Sequence, residues 1–130
     1  MTFKQGIDIV ENKRIERIYA KYKNVFLSKI LTENEINDLK KFSSQSVVIR
    51  KITSRFSAKE AAAKAIGTGF REGLKFTDIE IKYDNLGKPK LELKEKVFNR
   101  IFDKNQKILS SVSISNEKTH TIAIVTFISL

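Results

Sequence analysis

Apolar residues recur along this chain with two periods, near 3.6 residues in the first half and near 2 in the second. The start is an exception. Residues 4–10, KQGIDIV, alternate and read as a short strand, with Ile7 and Ile9 on one face and Asp8 and Val10 on the other. Residues 12–26 then read as one amphipathic helix, since Ile15, Ile18, Tyr19, Tyr22, Val25 and Phe26 share an arc at 100° per residue. "LTENEINDLKKF" predicts a second helix, capped by Thr32 with Glu35 at the capping-box position. A third helix is expected over roughly 47–66, stopping at Gly67 or Gly69.

Beyond Gly69 the period shortens. "FTDIEIKY" predicts a strand, "DNLGKP" a turn and "KLEL" the returning strand of a hairpin. "KEKVFNRIFDK" reads as a helix. "SVSISNEKTHTIAIVTFISL" reads as two strands about a tight turn at Asn116–Thr119. The last strand is apolar on both faces, which places it centrally or under cover. The pattern implies an α+β fold, with helices in the first half and an antiparallel sheet in the second.

At 130 residues the chain has room for one domain, 1–130. With one proline and no Ser/Gly-rich linker, nothing suggests a boundary. A core this small gains from oligomerisation. The net charge of +10 favours an acidic partner. No cysteine is present, which excludes disulfides and thiolate metal sites. The start lacks the basic and long apolar regions of a signal peptide. The longest mostly apolar run, TIAIVTFISL, is about half the length of a membrane span. A cytoplasmic protein without a membrane partner is the default expectation.

The third helix carries the candidate chemistry. In "RFSAKEAAAKAIGTG", Glu60 and Lys64 stand one turn apart on a face shared with Phe56, Ala63 and Gly67, while Arg55 and Lys59 point elsewhere. Gly67 and Ala63 would admit close approach of a backbone or ligand. Asp8 sits among apolar residues in GIDIVE, and a buried carboxylate requires a partner. Two such acids can share a hard cation. Magnesium often takes one or two protein carboxylates and completes its shell with water and phosphate oxygens. Lys64 could then meet a phosphate oxygen or assist a proton transfer. A plainer reading stands beside this one. Asp8-x-x-Glu11 and Ser57-x-x-Glu60 both fit the capping-box pattern, and Glu60–Lys64 fits an ordinary surface pair.

The stretches "GIDIVENKRI", "LTENE", "RFSAKEAAAKAIGTG", "LGKPKLEL" and "VSISNE", in this order and at these intervals, resemble the holo-acyl-carrier-protein synthases. These are the small bacterial 4′-phosphopantetheinyl transferases, and the resemblance covers nearly the whole chain. It implies that family's fold, with helices packed on an antiparallel sheet, and a homotrimer with active sites between subunits. It implies transfer of phosphopantetheine from coenzyme A to a serine of apo-acyl carrier protein, with Mg²⁺ as cofactor and 3′,5′-ADP released. By the same resemblance Asp8 and Glu60 would hold the metal, and Glu60 and Lys64 would be catalytic. Lys64, Gly67, Lys88 and Asn116 would meet coenzyme A. Three departures stand out. Asn116 replaces a frequent histidine near the nucleotide, Asn12 an apolar residue and Ser57 a common alanine. Neither Asn12 nor Ser57 is expected to touch the acid pair.

The first helix carries a second feature. Arg14, Arg17 and Lys21 fall within an arc of about 60°. A solvated charged face is the ordinary reading, but the resemblance makes it the docking site of an acidic carrier-protein helix. Lys40, Lys41, Arg50 and Lys51 have no assigned role and are expected to be solvated. Two rivals remain. A nucleic-acid module is permitted by the charge, but no such motif is present and nucleic acid is not expected as a partner. An inactive structural trimer would make Glu60–Lys64 an interface ion pair.

Overall fold

The alternation read over residues 4–10 extends from Thr2 to Glu11 and forms strand β1 in a computed structural model that describes all 130 residues. The single helix expected over 12–26 is instead two, α1 (Asn12–Tyr22) and α2 (Asn24–Ile30). They part at Lys23, which adopts φ 45° and ψ −120°. No glycine or proline marks that break, so the apolar period runs through it. The turn brings Leu27 and Ile30 into the core beside Ile15 and leaves Val25 exposed. Helix α3 (Glu33–Leu39) begins on the expected capping box. Thr32 Oγ1 accepts from Glu35 N at 3.2 Å, and Glu35 Oε1 accepts from Thr32 N at 2.9 Å. The long helix α4 (Gln45–Ile66) ends at Gly67, whose φ of 99° explains the glycine.

"FTDIEIKY" starts as a 3₁₀ turn over Phe76–Asp78, because the Asp78 carboxylate folds back to accept from Lys75 N at 2.9 Å. Strands β2 (Ile79–Tyr83) and β3 (Pro89–Leu93) form the expected hairpin, followed by helix α5 (Glu95–Ile101). Strands β4 (Ile108–Asn116) and β5 (His120–Ser129) meet at the predicted turn, where Glu117 N donates to His120 O at 2.8 Å.

The main sheet is antiparallel in the order β1-β5-β4, and the β2-β3 hairpin is a separate pair. The fold is α+β with helices packed on antiparallel sheets, as expected. The division of the chain into helical and sheet halves needs one correction. β1 belongs to the first half yet pairs with β5 along its whole length, from Thr2↔Ser129 to Glu11↔His120. β5 is central, which suits its apolar character.

Helix α4 crosses the inner face of this sheet on an alanine surface, with Ala58, Ala61 and Ala62 fully buried. Small side chains bring helix and strand backbones together. At Gly6 of β1 an added Cβ would stand 2.0 Å from Ala61 O and 2.5 Å from Ala65 N. Both obstacles are backbone atoms, so Gly6→Ala is expected to cost about 3 kcal/mol or more, the upper range for overpacking. Chemical denaturation of the variant checks this; a loss below about 1 kcal/mol would contradict the packing described. Gly67 is different, since nothing in this chain lies within 4 Å of the Cβ it lacks, so the close approach of one backbone to another is at Gly6.

The other side of α4 packs on α1–α3 through Ile15, Leu27, Ile30, Leu39, Ile52 and Phe56, and Val10 near the end of β1 joins the same cluster. Being covered on both sides, α4 buries every residue from Ile52 to Ile66 except Glu60 and Lys64. Arg55 and Lys59 do point away from the Glu60 face, but into the interior. Lys59 Nζ pairs with the Glu35 carboxylate and donates to Ile30 O at 2.6 Å. Arg55 Nη2 pairs with Asp38 at 2.8 Å, and Glu35 Oε2 accepts from Ile81 N at 2.9 Å. Glu35 thus caps α3, neutralises α4 and fastens β2. Lys51, expected in solvent, is half-buried with Nζ 4.3 Å from the Tyr83 ring centroid.

Candidate active site

The two residues that interrupt the burial of α4 face the inward side of β1. Asp8 lies on that side, opposite Ala123 of β5. Only 12% of its side chain is exposed, so its carboxylate requires partners. It has two. Lys64 Nζ lies 3.2 Å from Asp8 Oδ1 and also donates to Ile7 O at 3.0 Å. Ser57 Oγ lies 3.1 Å from Asp8 Oδ2 and 3.3 Å from Asp8 O. Ser57, Glu60 and Lys64 fall within an arc of about 60° on the helix. Neither capping-box reading holds. Asp8 is inside a strand, Ser57 is inside a helix, and Glu11 precedes α1 without a side-chain cap.

Glu60 is half-buried, and its carboxyl is raised above the ordinary range, first by burial and then by the Asp8 charge. The Lys64 and Arg14 cations oppose that shift. Two acids therefore converge with two bases at one window on α4. No group of three potential metal-ligating side chains occurs in the chain. The donor set is two carboxylates, which matches the small share of protein ligands that Mg²⁺ commonly takes.

The remaining candidates lie at different distances from this window. Arg14 borders it, with its guanidinium carbon 5.7 Å from the Phe56 ring centroid. Arg17 reaches Glu11 at 3.8 Å and Lys21 rests 5.2 Å from the Tyr22 ring, both on the exposed side of α1. Gly67 closes the C-terminus of α4, one turn past Lys64. Lys88 is exposed in the β2-β3 turn, where its N–H donates to Asp84 Oδ1 at 2.8 Å. Asn116 is internally engaged. Its Nδ2 donates to Ser54 Oγ at 2.9 Å and Thr121 Oγ1 at 3.0 Å, and Thr121 Oγ1 donates to Asn12 Oδ1 at 2.8 Å. The two asparagines thus belong to one polar chain joining the β4-β5 turn to α1 and α4. Neither Lys88 nor Asn116 makes a hydrogen bond or ion pair with Asp8, Glu60 or Lys64.

Ser57 corrects the sequence expectation that it would not touch the acid pair. Its spacing of three from Glu60 and seven from Lys64 placed it on their face, but its partner on β1 could not be read from spacing.

Residues 5–125 match the model of the 4′-phosphopantetheinyl transferase superfamily. A holo-acyl-carrier-protein synthase of Pelagibacter ubique is 44% identical over 124 residues, covering 92% of this chain and 91% of its own. The crystal structure of the synthase from Neisseria meningitidis superposes with a TM-score of 0.84 at 33% identity, covering 96% of this chain and 97% of that one. The Helicobacter pylori synthase in complex with coenzyme A gives a TM-score of 0.78 at 32% identity, covering 97% and 99%. With an alanine-faced helix laid on a three-stranded sheet and a family match over nearly its full length, this chain is a transferase that belongs to the holo-acyl-carrier-protein synthases of the 4′-phosphopantetheinyl transferase superfamily.

Proposed function

We propose that residues 1–130 act as one domain that transfers 4′-phosphopantetheine from coenzyme A to a serine of apo-acyl carrier protein. The products are holo-acyl carrier protein and 3′,5′-ADP, and the reaction requires Mg²⁺. The observation that supports this most strongly is the convergence of Asp8, Glu60 and Lys64 at the one break in the buried Ile52–Ile66 stretch of α4. Asp8 and Glu60 would hold the metal, consistent with the like-charge repulsion between them that a divalent cation would relieve. Bound there, Mg²⁺ supplies charge stabilisation to a pyrophosphate undergoing displacement. Lys64 offers ammonium hydrogens to phosphate oxygens of coenzyme A or a proton to the leaving group. Gly67, Lys88 and Asn116 would complete the coenzyme A site.

A homotrimer is supported by the outer face of the main sheet. Phe3, Ile7, Ile9, Leu109 and Ile122 are 40–61% exposed on it, an apolar surface suited to another subunit. The test is release of 3′,5′-ADP from coenzyme A. It is expected only with apo-acyl carrier protein and Mg²⁺ both present, and to stop on chelation. Release unaffected by chelation would contradict the metal assignment.

Arg14, Arg17 and Lys21 would receive the acidic carrier protein. The position of Arg14 beside Phe56 and Glu60 supports this, because it links the exposed face of α1 to the chemistry. Arg17→Glu is expected to raise KM for the carrier protein about tenfold or more, since like charges juxtaposed across an interface cost several kcal/mol. KM for coenzyme A should change less than twofold, and the wild-type KM for carrier protein should rise with salt as screening shortens. An unchanged carrier-protein KM would return this helix face to solvent.

A further inference from the structure

We propose that Ser57 is a positioning residue for the metal-binding carboxylate, an inference that rests on Asp8 being a metal ligand. The Ser57 side chain is fully buried in the middle of α4, where a hydroxyl without a partner would be costly. It faces across to β1, with Oγ 3.1 Å from Asp8 Oδ2 and 3.3 Å from Asp8 O. One hydroxyl proton serves both contacts, and the nearer, charged oxygen is the stronger acceptor. Lys64 Nζ stands 3.2 Å from the other oxygen, Oδ1. The two donors therefore hold opposite ends of one carboxylate and fix its plane.

They differ in mobility. Just over half of the Lys64 side chain is exposed, and its long stem can swing toward a substrate phosphate. Ser57 has no such freedom, because its single-carbon stem is locked in a helix packed on both sides. When a cation approaches and Lys64 moves, Ser57 is the contact that keeps Asp8 aimed. Hydrogen-bond partners of metal ligands act this way generally, and their loss typically costs about 10–100-fold in metal affinity. From sequence Ser57 stands only as a departure where alanine is common, with no expected contact to the acid pair. Its contact becomes visible only when β1 is laid against α4.

The experiment compares wild type, Ser57→Ala and Asp8→Ala, first checked for folding by circular dichroism. Free Mn²⁺, the probe for the metal site, is followed by electron paramagnetic resonance as each protein is added. The steady-state rate is then measured across Mg²⁺ concentrations. Ser57→Ala is expected to bind Mn²⁺ about tenfold more weakly and to need about tenfold more Mg²⁺ for half-maximal rate. Its kcat at saturating Mg²⁺ should stay within about twofold of wild type, since the ligands themselves remain. Mn²⁺ affinity equal to wild type would overturn the proposal, as would a kcat lowered equally at every Mg²⁺ concentration, the mark of a purely structural role. If Asp8→Ala also binds Mn²⁺ like wild type, Asp8 is no ligand and the metal assignment itself falls. Loss in Asp8→Ala with none in Ser57→Ala overturns the Ser57 role alone.

Discussion

Asp8→Ala and Glu60→Ala are each expected to lower the rate of phosphopantetheine transfer by about 10³-fold or more while leaving the fold in place. The catalytic loss follows from the charge involved. Metal stabilisation of a phosphoryl transition state is worth several kcal/mol, and each 1.36 kcal/mol is about tenfold in rate. The small effect on folding follows from the partners left behind. In Asp8→Ala, Lys64 keeps its bond to Ile7 O and its exposure to solvent, and Ser57 can still donate to the main-chain oxygen of residue 8. In Glu60→Ala, a carboxylate raised by burial and by a like charge is removed, so the folded state loses an unfavourable term. Initial rates with coenzyme A and apo-carrier protein, set beside thermal melts, check both halves. Near-normal turnover by either variant would remove that residue from the metal site.

The second large effect separates two lysines on one helix. Lys64→Ala is expected to lower kcat by about 10²–10⁴, the usual value of a positioned proton-transfer or charge-clamping group. Its melting temperature should change little, because Lys64 is 54% exposed and Asp8 retains Ser57. Lys59→Ala should do the reverse. Its ammonium is wholly buried against Glu35, and deleting it leaves that carboxylate, 1% exposed, with only the more distant Arg55 cation at 3.6 Å. Breaking such a pair typically costs about 3–5 kcal/mol. The folded fraction should keep a kcat close to wild type, because Lys59 does not reach the window. Melts and single-turnover rates on both variants decide the matter. An equal catalytic loss from the two would show that the faces of α4 do not divide the chemistry as described.

Lys59 also marks the limit of what the sequence shows. A helical wheel correctly turns it away from Glu60, but solvent and core look alike on a wheel when the covering element lies elsewhere in the chain. Here α3 covers it, through a glutamate already committed as a capping residue. The capping box was legible because its two partners stand three residues apart. The further bonds of Glu35 to Lys59 and Ile81 span 24 and 46 residues and were not. The break at Lys23 was hidden for a different reason. A lysine at positive φ carries no sign in its residue type, and the apolar spacing is undisturbed.

The alternation in GIDIVE gave the right faces, with Asp8 opposite Ile7 and Ile9. It did not show which face is covered. The apolar pair turns outward and the acid inward, because the α4 alanines and Gly6 require the closest approach on the Asp8 side. Glu60 and Lys64 were legible as a pair because both stand on one continuous helix. That Asp8 joins them depended on how β1 lies against α4, which residue spacing leaves open and which the family resemblance anticipated.

The most direct test is the intact mass of an apo-acyl carrier protein after incubation with this enzyme, coenzyme A and Mg²⁺. The carrier is expected to gain one phosphopantetheine group on its acceptor serine. No gain is expected without Mg²⁺, with Glu60→Ala enzyme, or on a carrier whose serine is replaced by alanine. A carrier of unchanged mass with wild-type enzyme and all components present would contradict the proposed transfer. A gain that survives the Glu60→Ala substitution would contradict the site assigned to it.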